Sequence, residues 1–327
     1  MNILYTGDDR YAMITAVSIV SLINNNRWDK ELHFYIVDAY RQNENREKLK
    51  QLIADNGAYC HFLPEVDYEG LIGKKINYAR WCRVTFARLF LGEFFHEYPD
   101  VHRILYIDCD TMIRGGLKAL WSMDLEGRTA AAVREPFYRQ HWRNIGLTQD
   151  TYFNNGVLLI DIDKWKEEQL DEAAVNFLYE RNGKVPYADQ GVNNYILSGK
   201  VKYLHPKYNF MTMNVDMSYT EMMIFRKPIK HYSEKTYAEA AENPVIVHFT
   251  TCFLSKRVWL QSSTHPYKTE WMKYKAMTPW KDMSSIEEHI SGKDKLKELI
   301  IKLLPRQLVI SGAGFLHSYI KPIKDRM

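Results

Sequence analysis

Cysteine is scarce in this sequence, and long apolar runs are missing from it. The four cysteines, Cys60, Cys82, Cys109 and Cys252, form no CxxC pair, which argues against a zinc site or a disulfide framework and suits a reducing cytoplasm. No apolar run reaches the ~18 residues of a membrane-spanning helix, and no signal peptide opens the chain. These absences predict a cytoplasmic protein.

Two further absences exclude classes of ligand. No G-x-G-x-x-G motif follows the first predicted strand, whose turn carries the single Gly7, so a dinucleotide is not indicated. The formal net charge is +4, but residues 293–327 contain eight Lys and Arg against three Asp and Glu, which leaves −1 for the rest of the chain. Nothing in the main body therefore suggests a nucleic-acid-binding face, and we expect no nucleic acid partner.

Short apolar runs alternate with amphipathic stretches along most of the chain. The composition, with 46% hydrophobic and 26% charged residues, is that of an ordinary globular protein. Strands that alternate with helices through short connections predict an α/β fold with a mostly parallel sheet. The predicted strands are 2–5, 32–37, 58–63, 104–107, 129–133, 152–161 and 244–248, and the predicted helices include 11–22, 41–56, 78–95 and 163–181.

The stretch 104–110, ILYIDCD, ends a predicted buried strand in two carboxylates, Asp108 and Asp110. Side chains at i and i+2 of an extended segment point the same way, so both carboxylates can face one point at the carboxyl end of a strand. Such oxygen ligands suit Mg²⁺ or Mn²⁺ carrying a diphosphate. A solvated turn is the alternative interpretation, since Asp-x-Asp at a strand end also arises by chance.

Other candidate residues each have a plainer interpretation. Asp8 can accept the imide N–H of uracil, although the local sequence favours Asp8 and Asp9 as caps of the following helix. Arg88 can meet a sugar or phosphate, whereas most arginines at helical spacing serve an ion-paired face. Asn154 belongs to an Asn-Asn-Gly turn or binds a sugar hydroxyl. Asp189 is well placed as an N-cap.

Several motifs, taken in order, resemble the retaining glycosyltransferases of family 8. The resemblance covers residues 1–265 and rests on ILYTGDDRY, TFARLFLGEF, ILYIDCD, FNNGVLLIDIDKW, YADQGVNN and VIVHF. It is strongest to the bacterial lipooligosaccharide galactosyltransferase and stress-protein branch, and glycogenin is more distant. It implies a catalytic domain over 1–265 with a GT-A type, Rossmann-like sheet that is mixed but mostly parallel and is flanked by helices. A helical extension would follow over 266–292.

The resemblance also implies roles for individual residues. Asp108, Asp110 and His248 would bind Mn²⁺, with Mg²⁺ as the alternative, because Mn²⁺ accepts both oxygen and nitrogen donors. Gln190 and Asp189 would be the catalytic residues. The implied nucleotide-sugar site comprises Thr6, Asp8, Arg10, Arg88, Asp108, Cys109, Asp110, Glu135, Asn154, Asp189, Gln190, Lys256 and Arg257.

The sequence departs from the family pattern at three places. Arg10 stands where a small polar residue is usual, and Glu135 stands where Asp is usual. The closing motif reads HFTTCFLSKRVW, without the glycine and proline of the family's His-x-x-Gly-x-x-Lys-Pro-Trp and with added residues. Either Lys256 or Arg257 must supply the cation for the β-phosphate, and we favour Arg257 because Arg-Val-Trp overlays Lys-Pro-Trp.

The activity that the resemblance implies is metal-dependent transfer of glucose or galactose from a UDP-sugar to a glycan or lipid-linked acceptor, with retention of the anomeric configuration. We expect a role in cell-surface polysaccharide or lipopolysaccharide synthesis. An amide oxygen is a weak nucleophile, so we favour same-face attack, with Gln190 stabilising the cationic sugar and Asp189 holding a hydroxyl. The alternatives are a self-glucosylating primer protein and a catalytically silent nucleotide-sugar-binding protein.

Residues 293–327, here called the tail, combine positive charge with an apolar stripe. Leu296, Leu299, Ile300, Leu303 and Leu304 have helical spacing, and Pro305 ends the predicted helix. Such a helix packs on the catalytic domain or lies in a membrane interface. The concentration of Lys and Arg favours the interface. We therefore expect a peripheral position on the inner face of the cell membrane.

Overall fold

The structure is a computed structural model that describes residues 1–73, 75, 83–288 and 292–325, without the side chains of 293–297. Cys82, the first part of the predicted helix 78–95 and the side chain of Leu296 lie outside the described residues. The same holds for 289–291 of the predicted extension and for 326–327 of the tail.

Ten strands form two sheets in the described part of the chain. They are β1 Asn2–Asp8, β2 His33–Ala39, β3 Tyr59–Leu63, β4 Arg103–Ile107, β5 Thr111–Ile113, β6 Ala130–Arg134, β7 Phe153–Asp161, β8 Val201–Tyr203, β9 Phe210–Met211 and β10 Ile246–His248. The larger sheet has the order β3-β2-β1-β4-β7-β6-β8, and the smaller sheet has the order β5-β10-β9.

The described α-helices flank these sheets and form the tail. They are α1 Ala12–Asn25, α2 Asn43–Asp55, α3 Tyr68–Ile72, α4 Leu91–Phe94, α5 Lys118–Trp121, α6 Arg139–Asn144, α7 Ile162–Glu167, α8 Leu170–Glu180, α9 Ala188–Ile196, α10 Thr212–Asp216, α11 Tyr219–Arg226, α12 Glu234–Glu242, α13 Lys268–Lys275, α14 Gly292–Leu303, α15 Arg306–Phe315 and α16 Lys321–Lys324. A π-helical turn, Leu316–Ile320, joins α15 to α16.

The large sheet is parallel except at β7, which confirms the predicted α/β fold with a mostly parallel sheet. β7 is antiparallel to both β4 and β6, and Ile107 pairs with Val157. The amino-terminal end of β7 therefore lies beside the carboxyl end of β4. The backbone N–H of Asp108 donates to the carbonyl oxygen of Gly156 at 2.8 Å, so the Asn-Asn-Gly segment lies directly next to the carboxylate motif.

Each face of the large sheet is covered by its own core. Ile3 and Tyr5 of β1 belong to the core that contains α1, whereas Leu4 belongs to the core on the other face, as the two-residue repeat of a strand requires. Trp271 and Trp280, from the predicted extension, lie in the same core as α1. The two apolar cores fix the sheet edge at which the candidate site lies.

Two predicted helices differ from the observed ones. The described part of 78–95 is a 3₁₀-helix, Arg83–Leu89, followed by the short α4. Its three-residue repeat aligns Thr85 with Arg88, whose Nε donates to the Thr85 carbonyl oxygen at 3.1 Å. The predicted helix 163–181 is broken into α7 and α8 because Gln169 adopts a left-handed conformation with φ 51°.

Candidate active site

Two carboxylates and an imidazole converge where β4 ends. Asp108 and Asp110 follow β4, and His248 is the last residue of β10, which pairs with β5 so that His248 lies opposite Thr111. One ligand atom from each of the three side chains lies within 4.8 Å of the others. His248 Nε2 is 3.1 Å from Asp110 Oδ1 and 3.5 Å from Asp108 Oδ2. The structure therefore brings the three predicted metal ligands together.

The surroundings of the three side chains fit a divalent metal ion. His248 Nδ1 donates to Asn209 Oδ1 at 2.9 Å, which turns Nε2 towards the carboxylates, where its lone pair would meet a metal ion. A Cβ added at Gly156 would lie 2.7 Å from Asp108 Oδ2 and would collide with the His248 ring. The glycine thus keeps this corner open. The donor set suits Mn²⁺ or Mg²⁺, with the nitrogen ligand favouring Mn²⁺.

The charges around Asp110 favour the ionised carboxylate that a metal ligand must have. Burial of Asp110 opposes ionisation, but His248 and then Arg257 outweigh it and lower the pKa of Asp110 to about 2. Burial lowers the pKa of His248, yet the neighbouring Asp110 and Asp108 raise it above its usual value overall. The two carboxylates thus favour a proton on His248 Nε2, which a metal ion bound there would displace.

Arg88 joins the metal end of the site to Asp189. Its Nη2 lies 2.9 Å from Asp108 Oδ1 and its Nε lies 3.1 Å from Asp189 Oδ2, and Nη1 donates to the Asn155 carbonyl oxygen. Burial opposes the charge, but Asp108, Tyr106 and Asp189 raise the pKa of Arg88 overall. A buried guanidinium with two carboxylate partners is held in one orientation.

The prediction that Asp189 is an N-cap is wrong. Asp189 lies in the first turn of α9, whose N-cap is Tyr187 without a side-chain cap bond. Its carboxylate is buried and accepts from Asn155 Nδ2 at 2.7 Å. Burial raises the pKa of Asp189, and Arg88 acts in the opposite direction. The Asp189 carboxylate bonds to Arg88 and Asn155 instead of capping the helix. A buried carboxylate is costly unless it is paired, and these two residues supply the pairing.

Gln190 is fixed by hydrogen bonds on both sides of its amide. Its Oε1 accepts from the backbone N–H of Asn155 at 3.2 Å and from Asn154 Nδ2 at 3.3 Å. Its Nε2 donates to Glu135 Oε2 at 3.0 Å and to the Tyr152 hydroxyl at 3.2 Å. Glu135, Asn154 and Gln190 therefore form one hydrogen-bonded polar group next to Asp189.

The residues at the carboxyl end of β1 and directly after it each have hydrogen-bond partners. Asp8 accepts from the backbone N–H of Arg10 at 3.1 Å and pairs with Arg10 Nη2 at 2.7 Å, so the capping interpretation is confirmed for Asp8 at the 3₁₀ turn Asp9–Tyr11. It is wrong for Asp9, whose carboxylate accepts from the backbone N–H of Arg41 at 2.8 Å. Thr6 bonds the Tyr106 hydroxyl.

Cys109 lies between the two carboxylates in the sequence, but its side chain does not join them. The partly buried thiol packs against the core of α1. Burial raises its pKa well above the usual range, so the thiol is neutral.

The closing loop separates its two cations. Arg257 Nη1 lies 3.3 Å from Asp110 Oδ2 and donates to the Tyr11 hydroxyl at 3.0 Å. Lys256 Nζ instead pairs with Glu288 at 2.7 Å and with Glu298 of α14 at 3.0 Å. Arg257 is therefore at the metal end of the cleft, whereas Lys256 connects the loop to the tail.

The family of the chain follows from comparison with known sequences. The profile of glycosyl transferase family 8 matches residues 2–257, a span that holds every predicted site residue. The chain belongs to glycosyl transferase family 8. This confirms the predicted family, and the protein is therefore a glycosyltransferase.

Two relatives match this family 8 chain over most of its length. General stress protein A of Bacillus subtilis (strain 168) is 30% identical over 288 residues, which cover 86% of this chain and 94% of the relative. The lipopolysaccharide 1,2-glucosyltransferase of Escherichia coli (strain K12) is 26% identical over 323 residues, which cover 97% of this chain and 90% of the relative.

A crystal structure of a galactosyltransferase has the same fold. The galactosyltransferase LgtC, crystallised in complex with donor and acceptor sugar analogs, superposes with a TM-score of 0.69 at 23% identity, over 91% of this chain and all of that one. The match confirms the predicted GT-A type fold. Among the described residues, no helix has both the length and the apolarity to cross a bilayer.

Three supporting residues of this family 8 site were not predicted. Tyr106 donates to Asp108 Oδ1 at 2.6 Å, and its place two residues before Asp108 on the same strand was a usable signal. Tyr11, the partner of Arg257, belongs to the opening motif. Asn209 links His248 to Asn154 through bonds of 2.9 and 2.7 Å. No local pattern marks Asn209, because its role depends on segments that are distant in the sequence.

Proposed function

We propose that this family 8 enzyme transfers glucose or galactose from a UDP-sugar to a glycan or lipid-linked acceptor, with retention of the anomeric configuration and with Mn²⁺ as its metal ion. The observation that carries the proposal is the cleft in which Arg88 connects the metal-ligand cluster to Asp189. A diphosphate at the cluster would then have its sugar beside Asp189 and Gln190.

The leaving group is the part of the donor that needs most stabilisation. A divalent metal held by Asp108, Asp110 and His248 supplies charge neutralisation for the departing diphosphate. Arg257, which lies beside Asp110, adds a fixed cation on the same side. Its guanidinium can meet the β-phosphate as negative charge develops there, which favours the transition state over bound substrate.

The geometry around Gln190 supports same-face attack. Its amide oxygen already accepts two hydrogen bonds, from the Asn155 backbone and from Asn154, so its lone pairs are engaged. An amide held in this way can stabilise a cationic sugar through its dipole but is a poor nucleophile. Asp189, which is paired with Arg88, can accept a hydrogen bond from a sugar hydroxyl.

A role in cell-surface glycan synthesis is supported by the relatives. The Escherichia coli relative is named a lipopolysaccharide 1,2-glucosyltransferase, which is the basis for proposing lipopolysaccharide or a related surface polysaccharide as the product.

The two alternative functions predict different products of an assay with the donor. A primer protein would carry sugar on its own tyrosines, and a silent binding protein would take up the donor without releasing UDP.

The tail supports the proposal of a peripheral membrane position. Ile310 of α15 belongs to the same buried cluster as Met222 and Phe225, so α15, which follows the predicted helix of residues 294–304, packs on the catalytic domain. Other large apolar side chains of the tail are solvent-exposed, namely Leu299, Ile300, Leu303, Leu304, Leu308, Phe315, Leu316 and Ile323. Such a surface beside basic residues suits a bilayer interface that presents a lipid-linked acceptor.

The function is tested by UDP release from UDP-glucose and UDP-galactose, each with Mn²⁺ and with a chelator, and first without acceptor. We expect Mn²⁺-dependent release of UDP from one of the two donors, and faster release with the correct glycan or glycolipid from an acceptor panel. No release from either donor would overturn the proposal. A gain of hexose mass on the protein itself would instead establish the primer function.

A further inference from the structure

A hydrogen-bonded chain connects the tail to Gln190. His317, in the π-helical turn after α15, accepts from Arg226 Nη1 across 2.6 Å. Arg226 Nη2 lies 3.7 Å from Glu135 Oε1, and Glu135 Oε2 accepts from Gln190 Nε2 at 3.0 Å. The last link in this chain is the residue next to Asp189, at the sugar end of the proposed donor site.

The tail holds His317 in a fixed position. Its ring stacks on Phe137 with a centroid distance of 5.5 Å and an interplanar angle of 1°, and its carbonyl oxygen accepts from His141 Nε2 at 2.8 Å. A Cβ added at Gly314, one helical turn earlier, would lie 2.8 Å from the Ile224 carbonyl oxygen. The backbone of α15 is therefore seated directly on α11, which ends at Arg226.

The chemistry of the contact explains why a histidine stands at this position. Arg226 can only donate, so His317 Nε2 must be unprotonated, which places the proton on Nδ1. That Nδ1 is buried and has no partner among the described residues. An apolar ring would avoid the cost of burying an unpaired N–H. The residue is thus poorly suited to packing alone and well suited to accepting from Arg226.

Arg226 needs a second partner because its contact with Glu135 is long. The guanidinium lies over the Phe137 ring, 4.6 Å from its centroid, and its Nε contacts Met213 Sδ. Neither contact directs the Nη atoms towards Glu135. The bond to His317 does so, because it fixes Nη1 on the tail side and leaves Nη2 on the side of Glu135.

We propose that His317 is a positioning residue of the transfer reaction, which orients Arg226 and, through it, Glu135 and the amide of Gln190. The inference rests on the proposed function, since it assigns a role in that reaction to a residue of the tail. Because the diphosphate end of the site is held by other residues, loss of His317 acts on turnover more than on donor binding.

Two substitutions separate acceptance of the hydrogen bond from packing. His317→Phe keeps a ring against Phe137 but cannot accept, and His317→Gln offers an acceptor without the ring. We expect kcat of H317F to fall roughly tenfold, the loss of one charge-assisted bond, while the donor KM stays within about twofold. H317Q should recover most of kcat. The neighbouring, exposed Leu316→Ala should behave as the wild type in the absence of lipid.

Each outcome decides the inference. Unchanged kcat in H317F, or equal loss in H317F and H317Q, would overturn it. If the wild type itself releases no UDP from any UDP-hexose, the proposed function fails, and crystal structures of the wild type and H317F decide the inference instead. Arg226 displaced from Glu135 and a turned Gln190 amide in H317F support it, whereas unchanged contacts among these three residues overturn it.

Discussion

The guanidinium of Arg257 lies 3.3 Å from the carboxylate of Asp110, and the arginine side chain is only partly exposed. Burial opposes its charge, but Asp110 and then Tyr11 raise the pKa of Arg257 overall, so the cation persists next to the metal ligands. Lys256, one residue earlier, faces Glu288 and Glu298. The two neighbouring cations therefore have separate tasks.

Replacing Arg257 by Ala should lower kcat more than it raises the donor KM. The reason is that the cation meets charge that develops on the leaving diphosphate, and the loss of one such group costs roughly 10²-fold in kcat. Steady-state kinetics of UDP release measure both constants. Lys256→Ala is the matched control and should leave kcat nearly unchanged. The reverse result would mean that Lys256 contacts the diphosphate.

Removal of one metal ligand should abolish metal-dependent transfer without unfolding the protein. Asp110→Asn removes a charged oxygen donor, and His248→Ala removes the nitrogen donor, so both should lose Mn²⁺ binding in calorimetry and Mn²⁺-dependent UDP release. The exposed Asp100→Asn controls for the loss of a carboxylate elsewhere. A folded D110N protein that keeps full activity would contradict the ligand assignment.

Gly156→Ala should damage the site through a single methyl group. The added Cβ would collide with His248 and lie 2.7 Å from Asp108 Oδ2, so we expect a loss of roughly 1–3 kcal/mol in the free energy of unfolding together with weaker Mn²⁺ binding. Denaturant titration and calorimetry measure the two effects. Gly312→Ala, with open space around it in α15, should be neutral or slightly stabilising. Equal effects of both changes would refute the argument.

His231 should make the protein less stable in mild acid. Burial, and then Arg134, lowers the pKa of His231 from 6.5 to about 4. Between these values the unfolded chain binds a proton that the native state does not, so the free energy of unfolding falls as the pH falls. His231→Phe keeps a ring facing Tyr219 and should reduce this slope by up to about 1.4 kcal/mol per pH unit. Denaturant titrations between pH 8 and 4 test this, and parallel curves would contradict it.

The tail should bind anionic vesicles in a salt-sensitive way. Leu303 and Leu308 are 72% and 60% exposed, and basic residues lie in the same segment. A double Leu303→Glu, Leu308→Glu variant should lose vesicle binding in flotation assays, whereas Ile229→Glu, at an exposed site outside the tail, should not. Wild-type binding that is equal for neutral and anionic lipid, or unaffected by salt, would remove the basis for an interfacial tail.

Local patterns predicted seven of the ten described strands and missed β5, β8 and β9, which have only two or three residues each. Apolar runs such as ILYI before Asp108 have one structural solution, a buried strand, and β4 is Arg103–Ile107. The break at Gln169 and the 3₁₀ geometry before Arg88 were not predictable from periodicity. Both depend on contacts with distant segments, which override helical propensity.

The sequence predicted those residues of the candidate site that belong to one motif. It did not predict those that only the folded chain brings together. Asp108 and Asp110 share a strand end, and His248 ends another. The sequence predicted Asp189 as a helix cap because its actual partner, Arg88, lies about a hundred residues earlier in the chain. No sequence pattern indicated a role for Arg226. Its task exists only once α11 and the tail have packed together.

The pairing of Lys256 with Glu298 bears on how the nucleotide leaves. A movement of the loop backbone at Arg257 would also move the adjoining Lys256, and that lysine is paired with Glu298 of α14 as well as with Glu288. Opening of the loop therefore requires either breaking two partly exposed ion pairs or displacing the tail helix with the loop. Because salt screens such pairs, we expect the rate of nucleotide departure to rise with ionic strength and to change when a surface restrains the tail.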